Sequence, residues 1–311
     1  PGKLCGLLLF WYFFHLSAAI SREFADFLVA TAHPRTPMVL IVGIAAFATG
    51  VAVRQGPEVL ARLGVLFTPP GIALVFLIIA LAYASTDARL LQPVLENGWR
   101  PVLTSGFLTQ AFMGQFVLLV VLLPSVNRRE QGIKAGYITA GIIAALISLV
   151  SLVTVSVFGP LTDKLVWPFF KVARVASFGV VLARIDPLVL GFWVAGACLK
   201  LAVHLYAAVV TFAHVVGLRD WRPIVFAMSA LVGAYVAGHL DSFIEHGYML
   251  AYFWPPYTQV FQLVLPALVL LVASVRRVEA TSVERGEASP ARRDQVTSAP
   301  GAQYEERVSH R

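Results

Sequence analysis

The chain has 311 residues, of which 58% are hydrophobic and 13% charged, with a formal net charge of +7. A soluble domain carries about a quarter charged residues, and a mean hydropathy of +0.78 leaves too little polar surface for a water-facing globule. The basic residues sit in short clusters between apolar runs, such as Arg128-Arg129 and Arg276-Arg277, a positive-inside pattern that argues against a phosphate-tracking surface and a nucleic-acid partner.

Lipid is therefore the expected solvent, and only helices or closed barrels satisfy their own backbone there. Barrel strands alternate apolar and polar residues over about ten positions. Here the apolar runs are continuous and of helix length, so the predicted class is an all-α polytopic membrane protein. Eight spans follow in order: Leu4–Leu28, Pro37–Val53, Glu58–Tyr83, Leu103–Leu123, Lys134–Phe158, Pro187–Phe212, Pro223–Leu240 and Pro255–Ser274. Cys5 and Cys198 both lie inside spans and read as small buried hydrophobes. The chain opens at Pro1 on an apolar run too long for a signal peptide, so the expectation is a truncated start.

Placing Pro1 in the cytoplasm puts Lys3, Arg54, Arg62, Arg128, Arg129, Lys134, Arg219, Arg222, Arg276 and Arg277 inside. Only Arg35, Arg89 and Arg100 then lie in short outer connections, a tally of 10 to 3 that predicts both termini inside. Between the fifth and sixth spans, Phe170, Ala173, Val175, Phe178, Val181 and Leu182 recur at helical spacing with basic residues between them. That stretch is expected as an amphipathic helix on the outer membrane face, or else as a solvated connector. Residues 1–275 form the predicted transmembrane domain. The 36 residues from Arg276 carry seven Arg and six acidic residues and are expected as a disordered cytoplasmic tail.

Polar groups at mid-membrane depth are costly, which makes them candidate functional residues. In the first span His15 is central, while Arg22, Glu23 and Asp26 lie nearer its outer end, and Arg22 and Asp26 are spaced to pair at i,i+4. Glu23 is left for a gate or polar path, or for an interhelical salt bridge. The third span is expected to be interrupted and kinked at Thr68-Pro69-Pro70-Gly71. The fourth is interrupted at Phe112-Met113-Gly114-Gln115, with Gln110 and Gln115 bringing amides to mid-membrane, as broken transporter helices do. In the sixth, Lys200 is halfway along and His204 follows one turn later on the same face. No acid sits at i±3 or i±4 of Lys200, so its partner must come from another span, backbone carbonyls, water or a ligand carboxylate. His204 alone also reads as a satisfied interior histidine. His239, Asp241, Glu245 and His246 cluster at the outer end of the seventh span; they read as a solvated helix end, with a cation site the alternative. No metalloprotease, serine-hydrolase or Walker motif is present, and no metal or other cofactor is expected.

Several stretches, read together and in order, resemble the B-subunit family of spore germination nutrient receptors, permease-like members of the amino acid–polyamine–organocation superfamily. They are SREFADFL with HPRTP, RQGPEVLARLGVLF, LQPVLENGWRPVL, AFMGQFVLLVVLLPSVN, FGPLTDKLVWPFFKVARVASFG with LARIDPLVLGFW, KLAVHLYAAV and GLRDWRPIV, reaching from the start to about Ser274. The resemblance implies a LeuT-like fold of ten spans in two inverted five-helix repeats, of which this chain holds the third to the tenth. It also implies a pocket lined or flanked by His15, Phe112, Gly114, Gln115, Lys200, His204 and Tyr206. Similar sequences often carry a glutamate where this chain has Gln115. The implied function is sensing of a small nutrient, an amino acid above all, in the bacterial cell membrane or inner spore membrane, with A-type and C-type receptor subunits as partners. A secondary amino-acid transporter is the alternative.

Overall fold

The computed structural model describes residues 2–126, 128–176, 186–239 and 242–275. The predicted tail lies outside them, as do Phe178, Val181, Leu182 and Asp241. All regular structure among the described residues is helical, without strands. The chain divides into two compact units, 1–265 and 266–311.

In the first unit, helix α1 spans Gly2–Thr31, α2 Met38–Arg54 and α3 Pro57–Ala82. Then come α4, Arg100–Met113, a 3-10 segment, Gly114–Leu118, and a last short turn, α5, Leu119–Leu122. Helix α6 runs over Arg129–Phe158, α7 over Pro168–Ala176, α8 over Asp186–Val216 and α9 over Val225–His239. The final run is α10, Phe243–Tyr248, and α11, Trp254–Gln259, each followed by a π-helical turn, Met249–Phe253 and Val260–Val264. Helix α12, Leu265–Val275, carries the chain into the second unit.

All eight predicted spans coincide with helices over their described residues. Six are long and apolar enough to cross a membrane among the described residues, whereas Met38–Arg54 and Arg222–Gly238 are shorter. At 1.5 Å per residue, the 17 residues of α2 cover about 25 Å of a ~30 Å hydrocarbon core. The outer surface bears this out as lipid-facing. Val65 is 76% exposed and Phe47 66%, on helices built very largely of apolar residues. In the second unit Leu270 and Leu271 are exposed in the same way.

The predicted interruption of the third span does not occur: α3 stays α-helical through Pro69 and Pro70. Proline withdraws its own amide, so the cost falls on the carbonyls of Val65 and Leu66, and the rest of the helix keeps its bonds. The last span begins a dozen residues earlier than its proline pair suggested, at Phe243, because Pro255 and Pro256 sit in the first turn of α11, where prolines fit.

The bundle is organised on α1 and α8, which lie against each other and run antiparallel. Phe10 meets Phe212 at 5.0 Å between ring centroids, and Phe27 stacks on Trp193 at 4.8 Å. Helix α8 ends where Gly217, at φ +84°, lets the amides of Gly217 and Leu218 both reach the Ala213 carbonyl. Helix α7 is amphipathic as expected, but protein covers its apolar face. Trp167 and Phe170 pack edge-on to Phe27 at 5.3 and 5.2 Å, and Val172 and Ala173 are fully buried.

Candidate functional site

The fourth span changes its winding where glycine was expected to interrupt it. It does not unwind; α4 passes at Gly114 into the tighter 3-10 form. A switch from i→i−4 to i→i−3 bonding re-pairs the carbonyls at the junction. The Ala111 carbonyl there accepts a 2.9 Å hydrogen bond from the Gln262 side chain, which also donates to the Tyr12 hydroxyl at 2.7 Å. Gly114 makes this possible, since a Cβ at that position would collide with the Gln262 carboxamide. Beside it the Gln259 amide donates to Gln110. Glutamines from the last span thus close over the junction. Gln259 and Gln262 follow α11's prolines within about two turns, and only their three-residue spacing on an apolar helix hinted at this role.

The 3-10 segment walls one side of a cavity of about 390 Å³. Phe112, Met113, Gln115, Phe116, Leu118 and Leu119 line it from the fourth span, Ile143 from α6, and Lys200 and His204 from α8. A largely apolar chamber with a few convergent polar groups is the usual form of a small-molecule site. The structure therefore brings together four of the predicted residues: Phe112, Gln115, Lys200 and His204. Gly114 sits at the junction behind them.

The polar groups differ in what they have left to offer. His204 Nδ1 is 2.7 Å from the Lys200 carbonyl, one turn back in its own helix. A carbonyl only accepts, so Nδ1 carries the proton and Nε2 is an acceptor. That Nε2 is buried with no partner among the described residues. The Lys200 ammonium makes neither an ion pair nor a hydrogen bond with any described residue, and so caps no carbonyl among them. Lys200 also lines a second cavity, of about 280 Å³, together with Glu23, Ile20 and Phe24 of α1 and Trp193 and Ala197 of α8.

Two predicted residues lie elsewhere. His15 shares a 2.8 Å hydrogen bond with the Tyr257 hydroxyl, between the rings of Trp11 and Tyr235. Tyr206 is buried edge-on to Trp221, at 5.3 Å. Neither lines the Lys200 cavity.

The predicted Arg22–Asp26 pair is formed. Arg22 Nε donates to both carboxylate oxygens at 3.0 Å, with both side chains buried. His246 joins them and corrects the reading of that cluster as a solvated helix end. It is 3% exposed, and its Nδ1 lies 3.9 Å from the Asp26 carboxylate. The reason is that α10 begins the last span and turns His246 toward α1, while Glu245 stays exposed. Among the described residues no group of three or more His, Cys, Asp or Glu converges as a metal site.

The model of the spore permease family, described as spore germination protein, matches residues 2–237. The chain belongs to that family. Spore germination protein KB of Bacillus subtilis strain 168 is 27% identical over 282 residues, covering 87% of this chain and 74% of that protein. The protein YfkT of the same organism is 31% identical over 217 residues, or 68% of this chain and 59% of YfkT, so the chain spans less than two thirds of that relative. No solved structure matches. The family match and the six long apolar helices make this spore permease a multi-pass integral membrane protein. Every residue of the Lys200 cavity falls inside the matched region, and the glutamines that close the junction fall beyond it.

Proposed function

We propose that this spore permease is the membrane-embedded subunit of a germination receptor, and that it senses a small nutrient, an amino acid, in the Lys200 cavity. The observation that carries the reading is the meeting of Lys200, His204 and Gln115 at the winding switch of the fourth span. A ligand carboxylate suits the Lys200 ammonium, a ligand ammonium suits the His204 Nε2 acceptor, and Gln115 offers both donor and acceptor. The apolar side chain of the nutrient would rest on Phe112, Phe116 and Ile143.

In this reading residues 1–275 form the transmembrane domain with both termini in the cytoplasm, in the cell membrane or inner spore membrane. A-type and C-type receptor subunits convert the nutrient-favoured helix arrangement into ion release. A ligand drives such a shift only by binding one arrangement more tightly than the other.

Equilibrium binding of a labelled panel of amino acids to the full receptor complex tests this directly. Lys200→Met should weaken the binding amino acid about 10- to 100-fold, as loss of a charge-assisted hydrogen bond predicts, with normal accumulation in the membrane. A variant that accumulates normally and binds unchanged would overturn the site, and one that fails to accumulate makes Lys200 structural.

A second reading, secondary transport, draws on a third cavity of about 530 Å³, lined by Pro57, Leu122, Val126 and Val203. Val203 adjoins His204 in sequence, and Leu122 lies one turn past Leu119 of the Lys200 chamber. Uptake of labelled amino acid into proteoliposomes holding this protein alone would favour transport over pure sensing.

A further inference from the structure

We infer that Glu23 is a positioning residue that competes with the bound nutrient for the Lys200 ammonium, so that binding is coupled to the α1–α8 contact. This rests on the nutrient reading above.

The antiparallel register carries the geometry. With Phe10 on Phe212 and Phe27 on Trp193, Glu23 falls at the level of Ala197 and Lys200. Glu23, Ala197 and Lys200 indeed line one cavity of about 280 Å³, walled by Phe24, Phe192 and Trp193. Lys200 also lines the 390 Å³ nutrient cavity, which contains no acidic residue in its lining. Lysine carries a point charge on a flexible four-carbon stem, and one ammonium cannot fill both chambers.

Glu23 and Lys200 are each without an ion pair among the described residues. Opposite charges facing one largely apolar cavity attract, because its walls screen them less than water does. In the structure the two charges share the cavity unpaired; with no carboxylate beside Gln115, a swing of the flexible lysine stem brings the ammonium to Glu23 and ties α1 to α8. A carboxylate arriving beside Gln115 and His204 draws the ammonium away and leaves Glu23 unpaired. The neighbouring acid, Asp26, is already held by Arg22 and does not compete.

The test uses the full-length protein in its receptor complex, with labelled L-leucine as the probe, since its side chain suits the Phe116 and Ile143 walls. Glu23→Gln removes the competitor and should tighten L-leucine binding 5- to 150-fold, the usual span of coupling between sites. Glu23→Asp keeps the charge and should stay near wild type, whereas Glu23→Gln combined with Lys200→Met should bind as poorly as Lys200→Met alone. In ligand-free protein, thermal unfolding of the same single and double variants should be non-additive. Unchanged or weaker binding by Glu23→Gln while Lys200→Met abolishes it would overturn the inference, as would additive unfolding. Absence of L-leucine binding by the wild-type protein sinks the nutrient reading instead, and the unfolding cycle then decides the pair by itself.

Discussion

One turn of α1 presents two kinds of charge, a buried pair and a half-buried acid. Arg22 and Asp26 spend their charges on each other, with Nε bonded to both carboxylate oxygens and His246 of the last span packed beside them. Glu23, between them in sequence, points to a different face and shares a cavity with Lys200 without pairing. A pair satisfied within one helix fixes structure and offers nothing to a ligand. Charges held apart across a cavity remain available, and that difference separates scaffold from the proposed site in this membrane protein.

The sharpest way to break the comparison is Asp26→Asn, which leaves the Arg22 guanidinium buried without its counter-charge. Loss of one partner of a buried pair costs about 3–5 kcal/mol, so thermal unfolding in detergent should fall well below wild type, and well below Lys200→Met. A Lys200→Met protein less stable than Asp26→Asn would reverse the assignment of scaffold and site.

Gly114→Ala should have an intermediate effect. Its Cβ displaces Gln262 from Tyr12 and Ala111, at the ~1–3 kcal/mol typical of overpacking. Because the 3-10 segment forms one wall of the cavity, amino-acid affinity should fall along with stability. Full affinity in a destabilised variant would detach the winding switch from the site.

Tyr257→Phe should act least. It removes the His15 hydrogen bond, worth about 0.5–1.5 kcal/mol, and nutrient affinity should hold because His15 lines the aromatic cluster and not the Lys200 chamber. A drop in affinity would return His15 to the pocket where the family resemblance put it.

Much of this was readable before any coordinates. Lys200 and His204 stand four apart, so one helix face had to carry both, and they share the cavity. Arg22 and Asp26 are likewise four apart and they pair. Partners on other helices were not readable. Nothing near Gln262 in sequence points to Ala111 or Gly114, since the carbonyl it meets becomes available only at the winding switch. His246 looked like a wet helix end because its neighbours are polar, yet the rotation of α10 buries it against α1. Pro69 and Pro70 predicted a break, but intact bonds on either side carry α3 through them.

Membrane residence and the approximate spans follow from composition and run length, because transfer of apolar side chains into hydrocarbon is additive along a chain and needs no knowledge of neighbours. Which polar groups face one another was decided by tertiary structure. That depends on the register of α1 against α8 and on the winding of the fourth span, and helix rotations of a few tens of degrees move a side chain from one cavity to the next.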